Sequence, residues 1–514
     1  MGMMSWDSAM NRLPSEPHLW RQSDCVSLTM YYAKGASFFE PEMHARISDD
    51  GFSGKTVAEF PLIYYIVGKI WSVTGVQFWI YRLSGALFCL VALLCLYRIL
   101  LRLTGKWFWA ALGPLLLMAS PIYAFYGISF LTNVPALNCI IIAWYFIVRY
   151  YDEQKLKQLI WASVFFSLAG LLKVSSMTSY LILLFILALE FTRLIKFKKE
   201  GKLFPKPFVA AGILLVPLLI CLLWYLGFVE SYSVEHGGRY SFTSPVPIWT
   251  YDAAAKAHTW ESWFTFTLYQ IYPPHVWFFF IGAVVFLLTQ VRRINPQWTI
   301  LVLLSFIGHA LFSLLFFFCL DGHDYYHVDL LFFFLVTYAA LVKYISQREE
   351  NILQGRILRV FAAVLMTWTL LGTATNINAR YFGTYSSRAR SEMFLNRSTI
   401  DLFNHLHDSD WMRRAYDLVK NELDRRGYSD STVIIAANDA SFNSLLIRLD
   451  KPGYTAMATW QMDSASTGWR IDRGAELLIV EQPETVTAGV NRFMGYLLFR
   501  ARHVYVYDLK PYRK

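Results

Sequence analysis

Residues 81–105 read YRLSGALFCLVALLCLYRILLRLTG. Between Arg82 and Arg98 no side chain carries a charge, and the run approaches the ~20 apolar residues that cross a bilayer. Comparable runs recur along the chain, and they predict ten spans near 79–97, 108–127, 134–150, 158–174, 176–194, 208–228, 274–290, 298–319, 326–345 and 357–376. Pro114, Pro121 and Pro217 fall inside or near the ends of these segments, which packed membrane helices tolerate. The whole chain agrees: of 514 residues 56% are hydrophobic and only 16% charged, where a soluble domain carries about 25%. The expected fold class is therefore a polytopic α-helical membrane protein.

The net charge of +10 suits anionic lipid headgroups. A nucleic-acid partner is not indicated, since no basic stripe interleaved with aromatics is present. Six scattered cysteines show no CxxC or Cys/His spacing and read as small apolar residues. The start has neither a basic n-region nor an apolar h-region, and Trp6 stands where a myristoylation signal needs Ser or Thr.

Orientation follows from the loops. One set, from Arg98 to Arg359, carries 18 Lys and Arg; the opposite set carries Arg239 and Lys256, with Lys173 at a helix end. The first set is expected to be cytoplasmic. Loops 128–133, 229–273 and 320–325 then face outward, with the N-terminal segment and everything after about residue 377. Three regions result: 1–78, an outward first loop with interfacial helices; 79–376, the transmembrane domain; and 377–514, an extracytoplasmic α/β domain. In that last region Thr432–Ala437, Glu476–Glu481 and His503–Tyr507 read as strands. Trp411–Arg426, Asp439–Leu449 and Thr485–Arg500 read as helices, an alternation that predicts a parallel sheet.

Candidate chemistry gathers on the outward side. Leu19-Trp20-Arg21-Gln22-Ser23-Asp24 opens a polar, aromatic and irregular stretch that reaches about Thr56. Asp24 is a candidate general base, or the N-cap of a following helix. Glu59, before Phe60-Pro61-Leu62, reads as a helix start or a site residue; 61–73, with Lys69 inside it, reads as an interfacial helix. Asp321-Gly322-His323-Asp324-Tyr325-Tyr326 packs polar and aromatic groups into a tight turn suited to a phosphate or sugar, with Asp324 placed to orient His323. Asp321, His323 and Asp324 could also take a divalent metal, although their spacing is no defined ligand motif. Lys173 either snorkels or neutralises a lipid phosphate. Arg239 offers the same choice in the long loop, whose Trp260, Trp263, Phe264, Phe266 and Tyr269 suggest an interfacial helix. Asn133 reads as a helix cap.

WRQSD at 20–24, EFPL at 59–62, the 81–105 run and ASPIYAFYGISFLTNVPAL at 119–137 together resemble the GT-C glycosyltransferases. The likeness is to glycosyltransferase family 39, the protein O-mannosyltransferase and lipid A aminoarabinose transferase group. GLLKVSS at 170–176 and HDYYHVDL at 323–330 look like further markers. The resemblance implies an integral membrane enzyme, in a bacterial inner (plasma) membrane. It would move a sugar from a polyprenyl-phosphate donor to an outward-facing glycan, lipid or protein acceptor, with inversion. The resemblance puts Asp24 in the catalytic place. Arg21, Lys173, Arg239, His323 and Tyr325 are left as donor and phosphate contacts, and Gln22, Glu59, Asp324 and Tyr326 as substrate contacts. Two departures stand out: Cys25 follows Asp24 where members often have a second acid, and Phe60 stands where the lipid A branch has a lysine. Members also begin with a span ahead of this loop, which this sequence does not show. A transporter or flippase for lipid-linked saccharides, or a non-catalytic protein binding them, is the competing class.

Overall fold

The computed structural model describes residues 4–198, 201–237, 245–456 and 463–513. The chain divides into two compact units: Met1–Asp7, Arg82–Trp224 and Ser244–Phe403 form one, and Ser8–Tyr81, Tyr225–Thr243 and Asn404–Lys514 the other.

The first unit is helical. Among the described residues seven helices are long and apolar enough to cross a membrane: Phe78–Thr104, Asn133–Glu153, Val174–Phe191, Pro207–Glu235, Pro296–Leu315, Asp324–Arg348 and Arg356–Phe382. An eighth crossing arises if Ala253–Ile271 and Pro274–Thr289, bent by 87° at their junction, count as one span. The chain is an integral membrane protein. Of the ten expected spans, two correspond to shorter helices, Trp107–Met118 and Leu156–Leu172. Pro121, which has no N–H to give, restarts the chain after Trp107–Met118 as the separate Pro121–Tyr126 helix.

Two sequence markers lock together inside this unit. Arg82, 1% exposed, donates from Nη1 to the Ile128 carbonyl at 2.9 Å and lies over the Phe130 ring at 4.5 Å. A Cβ on Gly85 would sit 2.6 Å from the Gly127 carbonyl oxygen, so glycine is what lets the Phe78–Thr104 helix approach that backbone. At the opposite helix ends, the buried Glu190 carboxylate accepts the N–H groups of Leu203 and Phe204, each at 2.7 Å.

The second unit is built on a five-stranded sheet of β1 (Val433–Ala436), β2 (Gly453–Thr455), β3 (Ala475–Val480), β4 (Leu497–Ala501) and β5 (Val504–Asp508), in the order β2-β1-β3-β5-β4. β1 is parallel to β2 and β3, whereas β5 is antiparallel to β3 and β4. The sheet is thus mixed, where the alternation predicted a parallel one. The predicted helix Thr485–Arg500 is reduced to Ala488–Asn491, and its end is β4, which forms a hairpin with β5 through Arg502 at φ 57°. Val433, Ile435, Tyr454, Leu478 and Ile471 fill one face. The N-terminal chain joins the sheet edge. Arg46 N–H donates to the Gly453 carbonyl at 2.7 Å, and Gly453 N–H donates to the His44 carbonyl at 2.9 Å. Gly453 also permits the close approach of β2 to β1, because a Cβ there would lie 2.0 Å from the Ile434 oxygen.

Candidate active site

Asp24 lies within a helix, Leu19–Ala33, and not at its start; the residue before that helix is His18. The stretch expected to be irregular is therefore helical at its start, and the N-cap reading of Ser23 and Asp24 is corrected. The helix escapes a periodicity reading because it buries polar groups: Gln22, Ser23, Asp24, Ser27 and Thr29 are each at most 2% exposed.

Burial of a carboxylate demands partners, and Asp24 has them inside its own unit. Asn443 donates from Nδ2 to Asp24 Oδ1 at 2.7 Å. The Asn443 amide cannot turn over, because its Oδ1 accepts the Ala45 backbone N–H at 2.9 Å, so the NH2 must face the carboxylate. Ser27 Oγ lies 3.2 Å from that Asn443 oxygen. Arg21, one helical turn from Asp24, brings Nη1 to 3.9 Å from Asp24 Oδ2. Its Nη2 donates to both oxygens of Glu59 at 2.5 Å. Glu59 thus fixes the guanidinium beside Asp24, and the two polar ends of WRQSD and EFPL meet through this pair.

Gln22 points elsewhere: its Nε2 donates to the Ser15 and Pro17 carbonyls at 2.8 and 3.1 Å, tying down the chain before the helix. Cys25, the next residue of the helix, places Sγ 3.2 Å from Tyr64 Oη. Burial pushes its thiol up to about 12, so the neighbour of Asp24 is an uncharged group. Behind the cluster, His44 Nε2 meets Asp450 at 3.2 Å and Nδ1 meets Ser27 Oγ at 2.8 Å. Desolvation lowers the imidazole. It is neutral, donating to Asp450 and accepting from Ser27.

The second group of expected residues assembles in the helical unit. The Lys173 ammonium lies 4.9 Å from the centroid of the Tyr326 ring, a cation–π contact. Tyr326 leans on Tyr325 at 4.4 Å, and His323 stands 6.2 Å from Tyr325 and 6.4 Å from Tyr326. The two chain segments are pinned by hydrogen bonds: Ser175 and Ser176 donate to the two oxygens of Asp329, each at 2.6 Å. Asn133 donates from Nδ2 to the Tyr325 carbonyl at 3.1 Å, and so braces this turn with the side chain expected to cap its own helix. His323 Nδ1 donates to the Asp321 carbonyl at 2.8 Å.

Asp324, between these residues in sequence, has no exposed surface. It accepts from Tyr126 Oη at 2.5 Å and from Arg380 Nη2 at 2.6 Å. Arg380 is equally buried, donates also to Gln270 at 2.9 Å and Asn376 at 3.0 Å, and lies over the Phe125 ring at 4.8 Å. Asn443 and Arg380 are the residues sequence reasoning missed. Asn443 lies in Asp439–Leu449, which reads as an ordinary helix and in the structure starts only at Ser444, while Arg380 follows the end of the last predicted span. An arginine at the end of an apolar helix was the available signal. Arg239 lies outside the described residues. Among the described residues no group of three or more His, Cys, Asp or Glu side chains is arranged to hold a metal ion.

Residues 58–224 match the family model described as dolichyl-phosphate-mannose-protein mannosyltransferase. A comparison with curated proteins finds no match. Among solved structures, the chain is similar to ArnT from Cupriavidus metallidurans in the apo state, at 14% identity and a TM-score of 0.58, covering 100% of this chain and 97% of that one. The same ArnT bound to undecaprenyl phosphate aligns at 12% identity with a TM-score of 0.56, covering 99% and 97%. The arabinofuranosyltransferase AftD from Mycobacteria aligns at 10% identity with a TM-score of 0.51, over 99% of this chain and 39% of that one. The resemblance to the GT-C membrane glycosyltransferases read from the short motifs is thus carried by a family model over 58–224 and by the fold of the whole chain.

Proposed function

We propose that the protein transfers a glycosyl unit from a polyprenyl-phosphate donor to an acceptor outside the cytoplasm. The observation that carries this reading is Asp24: a buried carboxylate, oriented by a locked Asn443 amide and flanked by an Arg21 guanidinium held on Glu59. A carboxylate kept in one orientation at such burial suits a general base. The likeness to a structure holding undecaprenyl phosphate supports the class of donor.

In the proposed step an acceptor hydroxyl or amine gives its proton to Asp24 and attacks the anomeric carbon. The bond from that carbon to the phosphate oxygen breaks, and the polyprenyl phosphate leaves with the electron pair. A single displacement inverts the anomeric centre. Arg21, beside Asp24, is the cation we assign to the phosphate charge; separately, Lys173 with His323, Tyr325 and Tyr326 is proposed as a lipid-phosphate contact of the helical unit. Gln22, Glu59 and Asp324 are assigned to holding this machinery in shape, through the bonds described above. The C-terminal region contributes Asn443, and in this reading it also presents the acceptor.

The test uses purified protein in liposomes with undecaprenyl phosphate carrying a radiolabelled pentose or hexose, plus a total envelope extract as acceptor. Label moving into an acceptor, and not simply crossing the bilayer on its carrier, supports transfer. Carrier crossing without transfer would replace it with a flippase.

A further inference from the structure

A cavity of about 210 Å³ lies in the helical unit, between the break at Tyr272-Pro273-Pro274 and the Arg356–Phe382 helix. Nothing in the roles proposed above uses it. Its walls combine aromatic faces with polar atoms that lack partners. Phe394 rests against the helix because residue 372 is glycine: a Cβ there would come within 3.1 Å of the ring. Phe394 in turn leans on Trp368 at 4.7 Å and 49°, and Trp368 remains 41% exposed.

The polar atoms are fixed by neighbours. Thr369 donates its hydroxyl proton to the Leu365 carbonyl at 2.8 Å. Its oxygen can then only accept from His275 Nε2–H, 2.8 Å away. A neutral His275 therefore presents Nδ1 as a bare acceptor. Tyr269 Oη and Trp368 Nε1 have no hydrogen-bond partner among the described residues. An acyl chain seated here would leave all three atoms unsatisfied, at a cost. A sugar ring matches them instead, since its hydroxyls donate and accept while its C–H face stacks on an indole.

We propose that this cavity binds one pyranose ring of a neutral saccharide, stacked on Trp368 and hydrogen-bonded by Tyr269, the Trp368 indole N–H and His275 Nδ1. As a subsite for an acceptor glycan it rests on the transferase reading; as a saccharide site it stands without it.

The test is saturation-transfer NMR on the full-length protein in lipid nanodiscs, free of sugar-based detergent, with methyl pyranosides of the manno, gluco and galacto series and cyclohexanol as control. Transfer to at least one pyranoside and none to cyclohexanol is expected. Trp368→Ala and His275→Ala should each cut the signal at least fivefold, Trp368→Phe should keep most of it, and Asp24→Asn should leave it unchanged. If Trp368→Ala unfolds, Tyr269→Phe removes a single hydroxyl and should still weaken binding. No transfer to any pyranoside, or a signal that survives in Trp368→Ala and Tyr269→Phe, overturns the proposal. So does a signal lost in Asp24→Asn, which would place the sugar elsewhere. Pyranoside binding without glycosyl transfer would sink the enzymatic reading and spare this one; transfer without pyranoside binding would do the reverse.

Discussion

Asn443 donates to Asp24 at 2.7 Å across 419 positions of the chain, and the Ala45 backbone N–H fixes which way the amide faces. The candidate base is thus oriented by the last part of the chain. Asn443→Ala removes a hydrogen bond to a charged group, worth about 1.5–3 kcal/mol. We expect transfer to fall roughly tenfold to a hundredfold, with a lower melting temperature. Asn443→Asp, which sets a second carboxylate against Asp24, should be worse than alanine on both readouts. Truncation before residue 404 removes Asn443 together with the sheet, so the point variants are the cleaner measurement.

The Asp324–Arg380 pair predicts a stability effect. Both side chains are fully buried, and deleting one partner of such a pair leaves an uncompensated charge, costing about 3–5 kcal/mol. Arg380→Leu should lower the melting temperature in detergent by many degrees. The double variant Arg380→Leu/Asp324→Leu should recover much of the loss. If Arg380→Leu melts like the wild type, the pair does not stabilise the fold.

The Cys25 thiol, pushed up to about 12 by burial, should resist alkylation by maleimide at pH 8 in the folded protein and react once denatured. On the proposed mechanism Cys25→Ala should keep most of the transfer activity, since the thiol contacts Tyr64 and is not a second acid beside Asp24. Rapid labelling of Cys25 in the native state would contradict its packing.

His44 sets a pH dependence. Its folded-state value lies below the usual 6.5 because burial disfavours the charged ring. The unfolded chain therefore takes up a proton that the native state refuses, and the stability this group contributes is lost as pH falls below about 6.5. Asp450, held low by His44 and Lys34, acts in the same direction at lower pH. Melting temperature should drop between pH 7.5 and 5.5. His44→Gln should be less stable at pH 7.5 but flatter across that window.

What the sequence made legible follows from burial chemistry. Apolar runs such as 81–105 announce helices in lipid without any partner, and the β-branched run at Val433–Ala436 announces a buried strand. The short motifs mark Asp24, Lys173 and the 321–326 turn as candidates from sequence alone. The Leu19–Ala33 helix was hidden because its buried face is polar, so neither period marks it. β4 was hidden because Leu-Leu-Phe at 497–499 suits a helix as well as a strand, and pairing with β5 decides. Asn443 and Arg380 acquire meaning only from Asp24 and Asp324, which lie far away in sequence.

The most direct test of the account is the transfer rate of Asp24→Asn with labelled undecaprenyl-phosphate sugar in liposomes, measured beside its melting temperature. We expect a loss of at least a hundredfold in transfer, on the order of a general base's contribution, with the fold intact. Transfer by Asp24→Asn at the wild-type rate would contradict it.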